Sequence, residues 1–194
     1  MNKIIFSTNN QHKLAEVQSA LGDRFELVTL KEVGITEDIP ENGATLEENA
    51  SIKSGYVFER LGMDCFADDT GLEVDALGGA PGVHTARYAQ IEKDDNKNID
   101  LLLKNLQGAE SRAAQFRTVI SLRLAGREYL FEGVVRGVIT ESRQGEDGFG
   151  YDPVFMPEGY DRTFAQMTME EKNQISHRGR AVAKLVEFLL QHNF

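Results

Sequence analysis

Cysteine is nearly absent: Cys65 is the single thiol in 194 residues, so the chain can form no internal disulfide and no cysteine-rich metal site. A reducing, cytoplasmic setting fits that usage. Positive charge is scarce as well. Lys and Arg number 21 against 31 Asp and Glu, a formal net charge of -10, and no basic stripe is apparent of the kind a nucleic-acid backbone requires. Long apolar runs are missing too. Ile4-Ile5-Phe6 breaks at Ser7-Thr8-Asn9-Asn10, too soon for a signal peptide or a membrane span. Neither a nucleic acid nor a membrane is therefore expected as a partner. There is no internal repeat, low-complexity tract or linker. With 41% hydrophobic residues, the chain suits a single domain over residues 1–194, with room for two lobes. The acidic balance still allows a small anionic substrate that arrives with Mg²⁺ and meets a few well-placed lysines.

Where apolar residues do cluster, they alternate between strand and helix patterns. Residues 3–8 predict a first strand, and Asn9 or Asn10 can cap a helix carrying Leu14, Val17 and Leu21 before Gly22 stops it. Residues 25–30 predict a second strand. Thr45 and Glu48 form a capping-box pattern that starts a helix running to Leu61 and ending at Gly62. Residues 64–68 predict a third strand, which Thr70-Gly71 should turn sharply, with 71–82 loop-like around Gly78-Gly79-Ala80-Pro81-Gly82. A helix is expected over 94–106 and a hairpin over 113–138, turning at Ala125-Gly126. Thr168 suggests a short turn, and Ser176 can cap a last helix with Val182, Leu185 and Leu189 on one stripe.

Chemistry concentrates in a few segments. Asp68 and Asp69 are adjacent carboxylates at the end of an apolar run, a place to hold a divalent cation. Asp is equally at home in turns and caps. The segment Ser7-Thr8-Asn9-Asn10-Gln11-His12-Lys13 joins a strand to a helix, so its N–H groups and the helix dipole suit a phosphate, with Lys13 as a point charge. The glycines of a Walker loop are lacking. Glu47 and Glu48 compensate a helix dipole, whereas Glu41 lies outside the helix with no capping task and is open to a metal role. Lys53 follows on the same helix, where a solvated lysine is the ordinary expectation. In Gly148-Phe149-Gly150-Tyr151-Asp152-Pro153, Phe149 can stack on a flat base while Asp152 bonds its edge or orients a lysine; an ordinary turn with core aromatics has the same composition. His177 and Arg178 bring donors to a helix start, a place where positive charge is otherwise unfavourable.

Together these segments resemble the inosine triphosphate pyrophosphatase family, also called XTP/dITP diphosphatases. The resemblance runs through Ser7 to Lys13, Glu41-Asn42-Gly43-Ala44-Thr45 with Glu48-Asn49-Ala50, Ala67-Asp68-Asp69-Thr70-Gly71-Leu72, the 78–82 glycine turn, the 148–153 turn and Ser176-His177-Arg178-Gly179. It implies an α/β fold with a long curved mixed sheet flanked by helices, two lobes around a central cleft, a homodimer and Mg²⁺. The implied reaction splits ITP, dITP or XTP into monophosphate and pyrophosphate. By the same resemblance Asp69 is the general base with Asp68 beside it, and Glu41 and Asp69 are metal ligands. Thr8, Asn9, Asn10, Gln11, His12, Lys13 and Lys53 then lie on the phosphate side, and Thr70, Phe149, Gly150, Tyr151, Asp152, Lys172, His177 and Arg178 on the nucleoside side. Ser7 stands where Ala is frequent and Thr70 where Ser is frequent. The rival readings are a Maf-like nucleotide pyrophosphatase, a haloacid-type phosphatase and a non-catalytic nucleotide sensor. The 149–152 and His177-Arg178 motifs speak against the first. The second would want aspartates separated by one intervening residue after its first strand, whereas Asp68 and Asp69 are adjacent and follow the third, and an intact Asp69 disfavours the sensor.

Overall fold

A computed structural model describes residues 2–192. Its strands are β1 (Asn2–Phe6), β2 (Phe25–Thr29), β3 (Cys65–Val74), β4 (Ala113–Leu124), β5 (Arg127–Ile139) and β6 (Phe155–Pro157). The helices are α1 (Gln11–Leu21), α2 (Leu46–Leu61), α3 (Asp95–Asn105), α4 (Met169–Ile175) and α5 (His177–Gln191). The strands form one mixed sheet in the order β2-β1-β3-β4-β5-β6. β1 runs parallel to both β2 and β3, and β6 is antiparallel to β5. The α/β reading of the sequence is borne out.

The chain divides into two compact units, one made of residues 1–69, 118–133 and 177–194, the other of 70–117 and 134–176. In the first, β1 is buried on both faces, as a parallel strand should be. Ile4 and Phe6 join a core with Leu14, Val17 and Leu21 of α1 and Val182, Leu185 and Leu189 of α5. Ile5 faces the opposite way, with Cys65 of β3 and Val57 of α2. The rings of Phe6 and Phe66 stack at 4.5 Å. Each fully buried Leu or Val contributes about 1.5–3 kcal/mol. The second unit packs Leu72 and Val74 of β3 against Ile99 and Leu102 of α3, and adds the rings of Phe116, Phe155 and Phe164.

Local signals account for several boundaries. Asn10 caps α1 by accepting from the N–H groups of His12 and Lys13 at 3.0 and 3.2 Å. Thr45 caps α2 by accepting from Glu48 N at 3.1 Å; the reciprocal bond of Glu48 goes to Ala44 N instead of closing a full capping box. Ala125 and Gly126 both take positive φ, the primed turn that suits a tight hairpin between β4 and β5.

Two expectations need correction. β3 does not stop at Asp68 and turn at Thr70-Gly71; it continues to Val74, so the loop starts later and holds short 3-10 turns at Asp75–Leu77 and Gly82–Arg87. Leu72 and Val74 supply the reason, because both are fully buried and draw the strand onward into the second core. The turn expected from Thr168 is in fact the seven-residue helix α4, whose capping box with Glu171 is complete on both sides.

Candidate functional site

In the first unit, three helices deliver cations to the aspartate pair in β3. Asp68 is buried and its oxygens are divided: Lys13 of α1 donates to Oδ1 at 3.0 Å, and Arg178 of α5 donates through Nε to Oδ2 at 3.2 Å. Lys53 of α2 bonds the Asp68 carbonyl oxygen at 2.5 Å, stands 3.7 Å from Asp69 Oδ1 and pairs with Glu41. Burial opposes the charge on Asp68, but Lys13, Arg178 and Lys53 outweigh it and hold its carboxyl well below the usual carboxylate range. Asp69 goes the other way. Burial raises its pKa, and Lys53 and Lys13 offset only part of the rise. Two neighbouring carboxylates thus have opposite tendencies, one fixed as an anion and one more ready to take up a proton.

Burial also lowers the pKa of Lys13 against the pull of Asp68, whereas for Lys53 the charges of Asp69, Glu41 and Asp68 prevail over burial and raise it. Asp69 Oδ2 is buried and has no hydrogen-bond partner among the described residues. A buried acceptor left without a donor costs about 1–3 kcal/mol. Such an oxygen is suited to a cation or a water proton.

The other phosphate-side residues lie around the start of α1. Thr8 Oγ1 accepts from Asn10 N at 3.2 Å, and Asn9 donates to Asp38 at 3.4 Å. Gln11 and His12 are exposed in the first helical turn. His177 opens α5, buried, where its carbonyl lies so close to Gly133 of β5 that a β-carbon at that position would collide with it. Gly133 therefore sets how near the start of α5 comes to the strand.

The second unit holds the remaining nucleoside-side residues. Thr70 follows the aspartates within β3. Lys172 of α4 is buried, pairs with Asp152 Oδ2 at 2.6 Å, and sets its ammonium 5.0 Å from the Phe149 ring centroid. Asp152 Oδ2 also accepts from Phe149 N at 3.0 Å, so this carboxylate orients a lysine and braces the turn. Tyr151 donates through its hydroxyl to Thr85 O at 2.8 Å; burial pushes its pKa up, keeping the phenol protonated. Gly150 N bonds Asp95 Oδ2 at 2.8 Å.

Sequence reasoning missed Glu16, a buried acid on α1 that pairs with Arg178 at 2.5 Å. Its place beside Leu14 and Val17 on a buried helix face was the available signal, since an acid there needs a cation. It also missed Asp95, which has no local mark beyond a helix start.

These features define an α/β protein with a buried, cation-ringed aspartate pair in its third strand. The chain belongs to the Ham1 family, whose sequence profile matches residues 4–188. It is 50% identical over 187 residues to the dITP/XTP pyrophosphatase of Flavobacterium johnsoniae, covering 96% of this chain and 97% of that one. The dITP/XTP pyrophosphatase of Porphyromonas gingivalis is 51% identical over 191 residues, covering 98% of each. Among solved structures, the Staphylococcus aureus Ham1 protein superposes with a TM-score of 0.89 at 40% identity, over 98% of this chain and 100% of that one.

Proposed function

We propose that this chain hydrolyses ITP, dITP and XTP to the nucleoside monophosphate and pyrophosphate, clearing deaminated purines from the nucleotide pool. The observation that carries this reading is Asp69, a buried carboxylate with one unbonded oxygen and a raised pKa, beside Lys53 in a chain so similar to dITP/XTP pyrophosphatases. In this reading Asp69 takes the proton of the attacking water. Asp68, held as an anion, fixes Lys13, and Lys13 and Lys53 stabilise the charge that moves onto the departing pyrophosphate.

Mg²⁺ fits the donor set. Among the described residues no group of three or more His, Cys, Asp or Glu preassembles a cation site. Mg²⁺ commonly uses one or two carboxylates and completes its shell with water and substrate phosphates, which matches Glu41 and Asp69. Such a cation would neutralise phosphate charge and acidify a water. Phe149 is read as the stacking surface for the base, with Lys172, Thr70, Gly150, Tyr151, His177 and Arg178 contributing to nucleoside recognition. Asp152 acts through Lys172 and the turn.

Pyrophosphate release from ITP, dITP and XTP with Mg²⁺ tests the reading, with ATP as the poor-substrate control. Binding of ITP without release would leave the non-catalytic sensor; release only from pyrimidine nucleotides would favour the Maf-like alternative. A homodimer in the cytoplasm is the assembly we propose, supported by the family resemblance and the single cysteine. Among the described residues no helix is long and apolar enough to cross a membrane. Sedimentation equilibrium tests the dimer.

A further inference from the structure

The turn that carries Phe149 is anchored from outside itself. Residues 141–148 are exposed, so little apolar packing holds the approach to it. Gly148 and Gly150 take φ of 77° and 60°. Such backbone freedom has to be cancelled before a ring can be presented in one orientation. Two carboxylates grip consecutive N–H groups of the turn. Asp152 holds Phe149 N from within, and a β-carbon on Gly148 would collide with that same carboxylate. Asp95 holds Gly150 N from 55 residues away, in the first turn of α3. Capping does not account for Asp95, because Asp94 already caps α3 by accepting from Lys97 N at 3.0 Å. The same helix start also grips the approach: Arg143 donates to Asn96 O at 3.0 Å and to Asp100 Oδ1 at 2.8 Å.

We propose that Asp95 is a positioning residue for nucleoside recognition, fixing the Phe149-Gly150 turn in the orientation that stacks on the base. The inference rests on the reading of Phe149 as the stacking residue. Asp95 acts at one peptide N–H and touches no reacting atom. Its loss releases the outer grip while Asp152 keeps the inner one, so the turn is competent only part of the time. Apparent nucleoside affinity then falls by that fraction.

The chain contains no tryptophan, so Phe149→Trp places a single indole on the turn. In that background IMP should quench the fluorescence, and Asp95→Ala should weaken IMP binding by roughly five- to tenfold, the scale of one ordinary net hydrogen bond. Asp95→Asn keeps an acceptor oxygen and should recover most of the loss. Pyrophosphate affinity, read by calorimetry, should not change. With Phe149 in place, Asp95→Ala should raise KM for ITP by a similar factor and leave kcat within about twofold, as expected when binding is lost equally from ground and transition states. Quenching with unaltered IMP affinity in Asp95→Ala overturns the inference alone. A loss shared by pyrophosphate and not recovered by Asp95→Asn overturns it as well, since that pattern marks general damage. Absence of quenching in Phe149→Trp itself overturns the stacking reading and this inference with it.

Discussion

Arg178 donates through Nε to Asp68 Oδ2 at 3.2 Å and through Nη1 to Glu16 at 2.5 Å, so one buried guanidinium is shared between two carboxylates. Burial opposes its charge, yet Glu16 and Asp68 together raise its pKa. Arg178 is thus part of the support of the aspartate pair, whatever it contributes at the base.

Arg178→Ala should therefore destabilise the fold by about 3–5 kcal/mol, the usual cost of leaving a buried ionic partner uncompensated. Urea unfolding measures it. Arg178→Lys keeps the charge but lacks the planar fork that serves two acceptors, and should recover only part. If Arg178 also reads the purine carbonyl, both variants narrow the ITP-to-ATP ratio, mainly through a lower kcat/KM for ITP. Parent-like discrimination in a folded variant would restrict Arg178 to support.

Asp69→Asn should leave stability nearly unchanged or slightly improved, because burial already disfavours the charge that is removed. Turnover of ITP should fall on the order of a hundredfold or more, since the proposed base and one proposed metal-binding charge go together. Asp68→Asn should behave differently, losing stability as well as activity, because Lys13 and Arg178 lose their shared anion. Steady-state kinetics beside unfolding curves separate the two. Near-parent kcat in Asp69→Asn would remove Asp69 from the mechanism.

How much of this was legible in the sequence depended on the range of the cause. α2 could be read from Thr45 and Gly62 and the hairpin from Ala125-Gly126, because caps and primed turns are decided by neighbours in the chain. The continuation of β3 could not. Asp-Asp-Thr-Gly has the composition of a turn, and it stays extended because Leu72 and Val74 beyond it are buried against α3, while cations 55 and 110 residues away neutralise Asp68. Glu16 and Arg178 are 162 residues apart, and no local pattern connects them. The candidate site residues followed from motif resemblance, whereas their partners followed only from the fold.

Part of the acid sensitivity of the fold should trace to Asp68, which holds its charge to lower pH in the folded chain than in the unfolded one. Its folded pKa lies below the unfolded value because Lys13, Arg178 and Lys53 together outweigh burial. A depressed carboxylate contributes stability that is complete above the unfolded pKa of about 3.9 and is lost as pH falls through the folded value. Urea midpoints of the metal-free protein should drop steadily from about pH 5 downward. In Asp68→Asn the neutral-pH midpoint should be lower and its acid dependence shallower. An acid limb of unchanged slope in that variant would place the responsible carboxylate elsewhere.

Lys53 stands between the two carboxylates proposed to hold Mg²⁺, pairing with Glu41 and lying 3.7 Å from Asp69 Oδ1. Before substrate arrives its ammonium occupies part of the field a cation would use. In the proposed reading, bound triphosphate would attract that ammonium, and Glu41 and Asp69 would then be the carboxylates available to hold Mg²⁺. Lys53→Met preserves most of the buried stem and removes the charge. Two like charges no longer compete for the same oxygens, so Mg²⁺ affinity without nucleotide should rise several-fold, while kcat for ITP should fall on the order of tenfold or more for want of a phosphate cation. IMP affinity should change little, because IMP lacks the pyrophosphate that Lys53 is proposed to meet. Calorimetric titration of Mg²⁺, IMP and pyrophosphate into the variant resolves these effects. Equal losses for IMP and pyrophosphate would move Lys53 off the phosphate tail, and weaker Mg²⁺ binding would show that Lys53 arranges the carboxylates instead of competing for them.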